Sequence, residues 1–161
     1  NTELQALYQR HQHTGQSYWL FELDIDHFKA INDTYGHLVG NTVLETVAQV
    51  TLDFAHHLTY DTAVYRMGGE EFCLLLRNGN DDEQAAAMIG TELRKLLAGL
   101  EFHGEDGTPF QITVSVGAEF ADPEDKHYLD IYNRVDQFLY TVKRNGRDGL
   151  NIHGKTIQSS K

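Results

Sequence analysis

Two adjacent carboxylates at a glycine turn are the residues of this chain best suited to chemistry. They lie in Gly68-Gly69-Glu70-Glu71-Phe72. The glycines let a backbone turn tightly and approach a bulky ligand. Phe72 opens the strand-like run Phe72 to Leu76. An acid pair between two strands contributes little to a fold, but beside phosphates it can hold a hard cation. A second acidic group, Asp24-Ile25-Asp26, closes the buried run Tyr18 to Leu23, which is apolar except for Glu22. Asp24, Glu70 and the backbone carbonyl of Ile25 make a partial oxygen shell of the kind magnesium takes, with manganese as the alternative ion. Read singly, Asp24 is a strand-end acid and Glu70 a solvated loop acid. The glycine turn favours the metal.

These residues need a scaffold that brings the end of the first strand beside the turn. Leu4 to His11 reads as a helix, Tyr18 to Leu23 as a buried strand and His27 to Asp33 as a short helix. Asn41 to Leu58 repeats apolar residues with a 3.6-residue period, with Asn41 or Thr42 as its N-cap. Thr62 to Arg66 and Phe72 to Leu76 bracket the glycine turn as a hairpin. Asp81 to Leu100 reads as a helix with Ala85, Met88, Ile89, Leu93, Leu96 and Leu97 inward. Phe110 to Val116 alternates as a strand, Tyr128 to Val142 is a helix ended by Gly146, and Leu150 to Ile152 is an edge strand. Without decorations the order is β-α-β-β-α-β. That predicts an α+β sandwich, a ferredoxin-like palm with a central antiparallel sheet flanked by helices. Residues 1–153 form this domain and 154–161 a flexible tail. In such a sheet the first strand lies beside the hairpin, so Asp24 and Glu70 converge.

Bulk properties narrow the partners. The chain has 161 residues, a size for one domain, and a net charge of −11. Nucleic acid polymers are excluded on that charge, because their affinity comes from many cationic contacts to phosphate. A small nucleotide remains open if metal and a few bases neutralise its phosphates. The single cysteine, Cys73, cannot form an internal disulfide and reads as a buried thiol in a reducing compartment. Nine histidines show no zinc spacing. Nothing reads as a membrane span or signal peptide; a cytoplasmic location without membrane contact in this fragment is expected, with a membrane-anchored parent left open.

The run from Asp24 to His37, Asp-Ile-Asp-His-Phe-Lys-Ala-Ile-Asn-Asp-Thr-Tyr-Gly-His, resembles the first signature of the GGDEF domain of bacterial diguanylate cyclases. Arg66 to Phe72 resembles its name-giving loop in the Gly-Gly-Glu-Glu-Phe form. Val114-Ser115-Val116-Gly117 and Lys143-Arg144-Asn145-Gly146-Arg147 resemble its last central strand and its closing element. The resemblance spans nearly the whole chain in order and spacing. It implies condensation of two GTP molecules to cyclic di-GMP with release of two pyrophosphates, by a homodimer meeting through its active-site faces. Asp24, Ile25 and Glu70 would ligate magnesium. Glu70 or Glu71 would accept the proton of the 3′-hydroxyl, and the sequence does not separate them. Phe28 and Lys29 would meet the β- and γ-phosphates, with Lys29 offsetting charge on the leaving pyrophosphate. Gly69 would approach the substrate closely. Lys143 and Arg147, four apart at the end of the last helix, would hold the terminal phosphates; read without the family, they are favourable cations at a helix C-terminus. Asn32, His37 and Asn41 fall where the family reads guanine and its ribose, although Asn32 also suits a turn.

Three departures stand out. Asn41 occupies a position that is usually Asp in the family. A carboxylate accepts from both N1–H and the exocyclic amine of guanine, whereas an amide offers one acceptor and one donor, a pattern closer to adenine. Alternatively Asn41 only caps a helix, where Asn and Asp serve equally. The Arg-x-x-Asp product site of many relatives is missing, with Thr59 and Thr62 at its positions, so no feedback by cyclic di-GMP is expected there. The family's opening motif is also missing before Asn1, which suggests a longer parent with an N-terminal sensory or dimerisation region. Two other readings stand beside the cyclase: a degenerate domain that binds a nucleotide or partner without turnover, and a cyclase of relaxed base specificity.

Overall fold

The computed structural model of the chain describes residues 18–77, 82–121 and 129–157. Strand β1 is Tyr18–Ile25. Two helices follow, α1 at Phe28–Tyr35 and α2 at His37–His56. The hairpin β2 (Asp61–Gly68) and β3 (Glu71–Arg77) leads to α3 (Glu83–Ala98). A small ribbon, β4 (Phe102–His103) with β5 (Pro109–Phe110), precedes β6 (Val114–Phe120). Helix α4 (Leu129–Arg144), β7 (Leu150–Ile152) and β8 (Lys155–Ile157) complete the chain.

The main sheet has the order β2-β3-β1-β6-β7-β8. Its first four strands are antiparallel neighbours, the ferredoxin-like core expected from the sequence. β1 is buried along its whole length because alternate side chains feed two cores. Trp19, Phe21, Leu23 and Ile25 join Val43 and Val47 of α2 and Leu93 and Leu97 of α3. Tyr18 and Leu20 join Cys73, Leu75, Ile131 and Val135 on the α4 side. Each fully buried side chain of this size contributes about 1.5–3 kcal/mol. This packing fixes the end of β1, where Asp24 sits.

The structure corrects several expectations. Helix α2 begins at His37 with Gly36 as N-cap, so Asn41 lies inside the helix and caps nothing. Gly40 lies inside α2: a β-carbon there would meet Asn32 Oδ1 at 1.8 Å, so the bare backbone lets α1 pack closely on α2. On α3, Met88 and Leu96 are exposed, while Gly90 and Arg94 are buried in their place. The strand expected from Phe110 begins only at Val114, because Pro109 and Phe110 pair with β4 instead. β7 is not at the edge: it runs parallel to β6 and is covered by β8, so residues 155–157 of the expected tail are a strand. The expected helix at Leu4 to His11, together with Asp81 and Tyr128, falls outside the described residues.

Candidate active site

Asp24 pairs in register with Glu71 across β1 and β3, so the end of β1 and the glycine turn meet as expected. The turn is made by Gly68 and Gly69, with φ of 139° and 53°, the second in the left-handed region that glycine enters without strain. Arg66 Nε donates to the Gly69 carbonyl at 2.8 Å, and the Ile25 amide donates to the Glu70 carbonyl at 3.4 Å. These bonds tie the turn to the end of β1.

A cleft of about 460 Å³ opens here, lined by Asp24, Ile25, Phe28, Lys29, Glu70, Lys143 and Arg147, together with Asp26, His27, Ala30 and Asp33. Seven of the residues singled out in the sequence therefore share one surface. Five do not line it. Gly69 is exposed at the turn, and Asn32 packs half-buried against Gly40. His37 and Asn41 are exposed on the first turns of α2. Glu71 does not line the cleft, although Asp24, Lys143 and Glu70 lie within its field; one of its carboxylate oxygens is within 4.8 Å of oxygens from Glu22 and Asp136.

Asp24 is buried, and its two oxygens differ. Oδ2 pairs with the Lys143 ammonium, while Oδ1 is buried without a hydrogen-bond partner. Burial raises the Asp24 pKa above the usual carboxylate range, against the pull of Lys143, and Glu70 and Asp26 add to the rise. Burial also works against the Lys143 charge. Asp24, Glu71 and Glu70 outweigh it and hold the lysine above its ordinary value. An orphan carboxylate oxygen beside a second acid, Glu70, is the donor set of a hard cation, and magnesium or manganese fits it. Lys29 is different: its ammonium is solvated and, among the described residues, pairs with the exposed Asp33 at 3.6 Å. Such a pair is weak, so Lys29 is free to turn to a ligand.

Arg147 lies three residues past the end of α4, not on its last turn. Arg147 and Asp148 both take left-handed backbone, with φ of 65° and 47°. Such positions cost about 1 kcal/mol or more per residue. A network missed at the sequence level holds them. Asp26 accepts from the Thr113 hydroxyl (2.6 Å), the Ser115 hydroxyl (2.6 Å) and the Asp148 amide (3.0 Å). Buried Arg94 donates to the Asp148 carboxylate at 2.7 Å. Asp26 is therefore a brace that joins β1, β6 and the Arg147 loop. The only sequence signal for it was its place two residues after Asp24.

A four-stranded antiparallel palm with paired acids at its central strand ends is the architecture of nucleotidyl cyclase domains. The comparisons make the class specific. The family model "Diguanylate cyclase, GGDEF domain" matches residues 1–149. Diguanylate cyclase DgcZ of Escherichia coli is 39% identical over 131 residues, which is 81% of this chain and 42% of that protein. The GGDEF domain of DgcB from Caulobacter crescentus, solved in complex with c-di-GMP, superposes with a TM-score of 0.85 at 29% identity, covering 94% of this chain and 86% of that one. The active GGEEF domain of a diguanylate cyclase from Vibrio cholerae gives a TM-score of 0.81 at 32% identity, covering 98% and 94%. The chain belongs to the GGDEF domain family of diguanylate cyclases. It spans less than half the length of the curated relatives it matches. Among the described residues, no helix is long and apolar enough to cross a membrane.

Proposed function

We propose that this domain condenses two GTP molecules into cyclic di-GMP and two pyrophosphates, each domain of a facing pair holding one GTP. The observation that carries this reading is the single cleft that gathers Asp24, Glu70, Lys143 and Arg147. Asp24, the Ile25 carbonyl and Glu70 would hold magnesium, which when bound neutralises phosphate charge and polarises the α-phosphate. Phe28 and Lys29, at the start of α1, would receive the β- and γ-phosphates. Lys143 would exchange part of its contact with Asp24 for phosphate, and Arg147 would hold the terminal oxygens. The 3′-hydroxyl of each ribose attacks the α-phosphorus of the other GTP, and the bond to pyrophosphate breaks. Glu70 is the better placed of the two turn acids to take the hydroxyl proton, because it lines the cleft. Asn32, His37 and Asn41 would read the base and ribose. Since one domain supplies only half of the reacting pair, turnover requires association, so rate rises with dimer concentration.

The test is product identification. A dimer forced by a fused coiled coil, given magnesium and GTP, should yield cyclic di-GMP by mass spectrometry. No product at all supports the reading as a binding module instead. A mixed or adenine product with ATP present supports relaxed base specificity, the reading that Asn41 favours. Feedback by product at the Arg-x-x-Asp position is not expected, because Thr62 there donates to the Ala55 carbonyl at 3.4 Å and offers no charge. Calorimetry should detect no tight cyclic di-GMP binding at that position, and a tight intercalated product dimer would refute this.

A further inference from the structure

Glu22, Glu71 and Asp136 form a second acidic centre that the proposed reaction does not use. One carboxylate oxygen from each lies within 4.8 Å of the others. Glu22 is 0% exposed, and no donor group reaches either of its oxygens; the one group within hydrogen-bond reach is another carboxyl, that of Asp136. A buried carboxylate without a donor is costly unless something neutralises it. The ammonium whose charge acts on Glu22, that of Lys143, already pairs with Asp24. Glu22 is two residues before Asp24 on β1 and shares its face, the face that packs against α4. Glu71 comes from the strand alongside, and Asp136 from α4 across the sheet. Three different elements therefore aim carboxylates at one point.

We propose that this centre binds a hard divalent cation, distinct from the ion expected at Asp24 and Glu70. The oxygen spacing suits it, because bonds of about 2.0–2.6 Å place ligand oxygens up to roughly 5 Å apart. Three carboxylates, with no nitrogen or sulfur ligand beside them among the described residues, select an ion of the magnesium, manganese or calcium type. Glu22 offers both oxygens, and Asp136, exposed on α4, gives the ion a way in. Bound there, the ion holds Glu71 as a ligand and leaves Glu70 as the turn acid that faces the substrate.

The inference does not rest on the cyclase reading, and its test uses no turnover. In the nucleotide-free domain carrying Asp24→Asn, which removes the cleft site, manganese is titrated and free ion is followed by electron paramagnetic resonance. One ion per chain should bind with a Kd below about 1 mM. Tyr132, whose phenol lies within the field of Glu22, Glu71 and Asp136, should lose its NMR ring signals as manganese fills the site. The signals are assigned by Tyr132→Phe. Glu22→Gln and Asp136→Asn should each weaken binding at least tenfold and restore the Tyr132 signals. Asp136 is exposed, so its variant tests the site without a burden on folding. In the otherwise unaltered chain, Asp136→Asn should lower the manganese stoichiometry by one. Equal binding in parent and variants, or a sharp Tyr132 signal with manganese bound, overturns the site and leaves a shared proton as the neutralising group.

Discussion

In the proposed reaction Asn41 is expected to bear on base choice, and its place inside α2 simplifies the test. Because α2 starts four residues earlier, at His37, exchanging Asn for Asp leaves the helix start untouched. The change alters the hydrogen-bonding pattern and adds one negative charge at an exposed side-chain end. One mismatched polar contact is worth about 1–3 kcal/mol. Asn41→Asp is therefore expected to raise affinity for a non-cyclisable GTP analogue about tenfold and to lower that for the ATP analogue, by calorimetry on the forced dimer. Unchanged GTP affinity, with no ATP use by either form, would remove Asn41 from base reading. At this scale the sequence was most legible where chemistry demands a residue type at a fixed spacing, as in Asp24, Glu70, Lys143 and Arg147. It was silent where burial creates the role. Glu22 stood in the sequence as one acid in an apolar strand; its pKa, pushed up to about 8 by burial and then by Glu71 and Asp136, exists only because α4 closes over it.

Helices and strands were read well in kind and poorly in extent, for a reason visible at two glycines. The expected helix start at Asn41 left Gly40 outside the helix, whereas Gly40 lies within α2 and serves its close contact with α1. Gly117, inside β6, has the same cause. A β-carbon there would meet the Val135 carbonyl at 2.6 Å and the Leu139 amide at 2.7 Å, both backbone atoms of α4 that no rotamer change can move. β6 and α4 are in this close contact while α4 carries Lys143 to the cleft. Gly117→Ala is expected to cost about 3 kcal/mol in urea denaturation, at the upper end for overpacking, because a helix must shift. It should also weaken nucleotide binding, since that shift moves Lys143 away from Asp24. A cost under about 0.5 kcal/mol, the range of a neutral surface change, would show that α4 rides loosely on the sheet. Periodicity could not reveal the inward Arg94 on α3, because its partner Asp148 is 54 residues away in sequence.

Across the whole molecule, one thiol reports on both stability and ligand binding. Cys73 is buried in β3, which pairs with β1 on one side and β2 on the other. Burial pushes its thiol pKa far up, and Glu22 and Glu71 push it further. The thiolate is the reactive form, so the folded protein is inert and labelling needs the central sheet to open. At pH 8 the labelling rate with a disulfide reagent is expected to be at least about 10³ slower than for the urea-unfolded chain, as for an opening close to global unfolding. The cleft residues come from β1, α1, the β2–β3 turn and the end of α4, so a bound ligand must resist that same opening. A nucleotide with magnesium at 100 times its Kd stabilises the folded state by about 2.7 kcal/mol, which is about 100-fold slower labelling. Two results would cut at different levels. Labelling within tenfold of the unfolded rate would mean that β3 opens locally, without the rest of the sheet. Strong protection that saturating GTP and magnesium leave unchanged would instead keep the fold and remove nucleotide from the cleft. Protection that deepens with GTP and magnesium ties the two strand-end acids, Asp24 and Glu70, to one ligand in one cooperative unit.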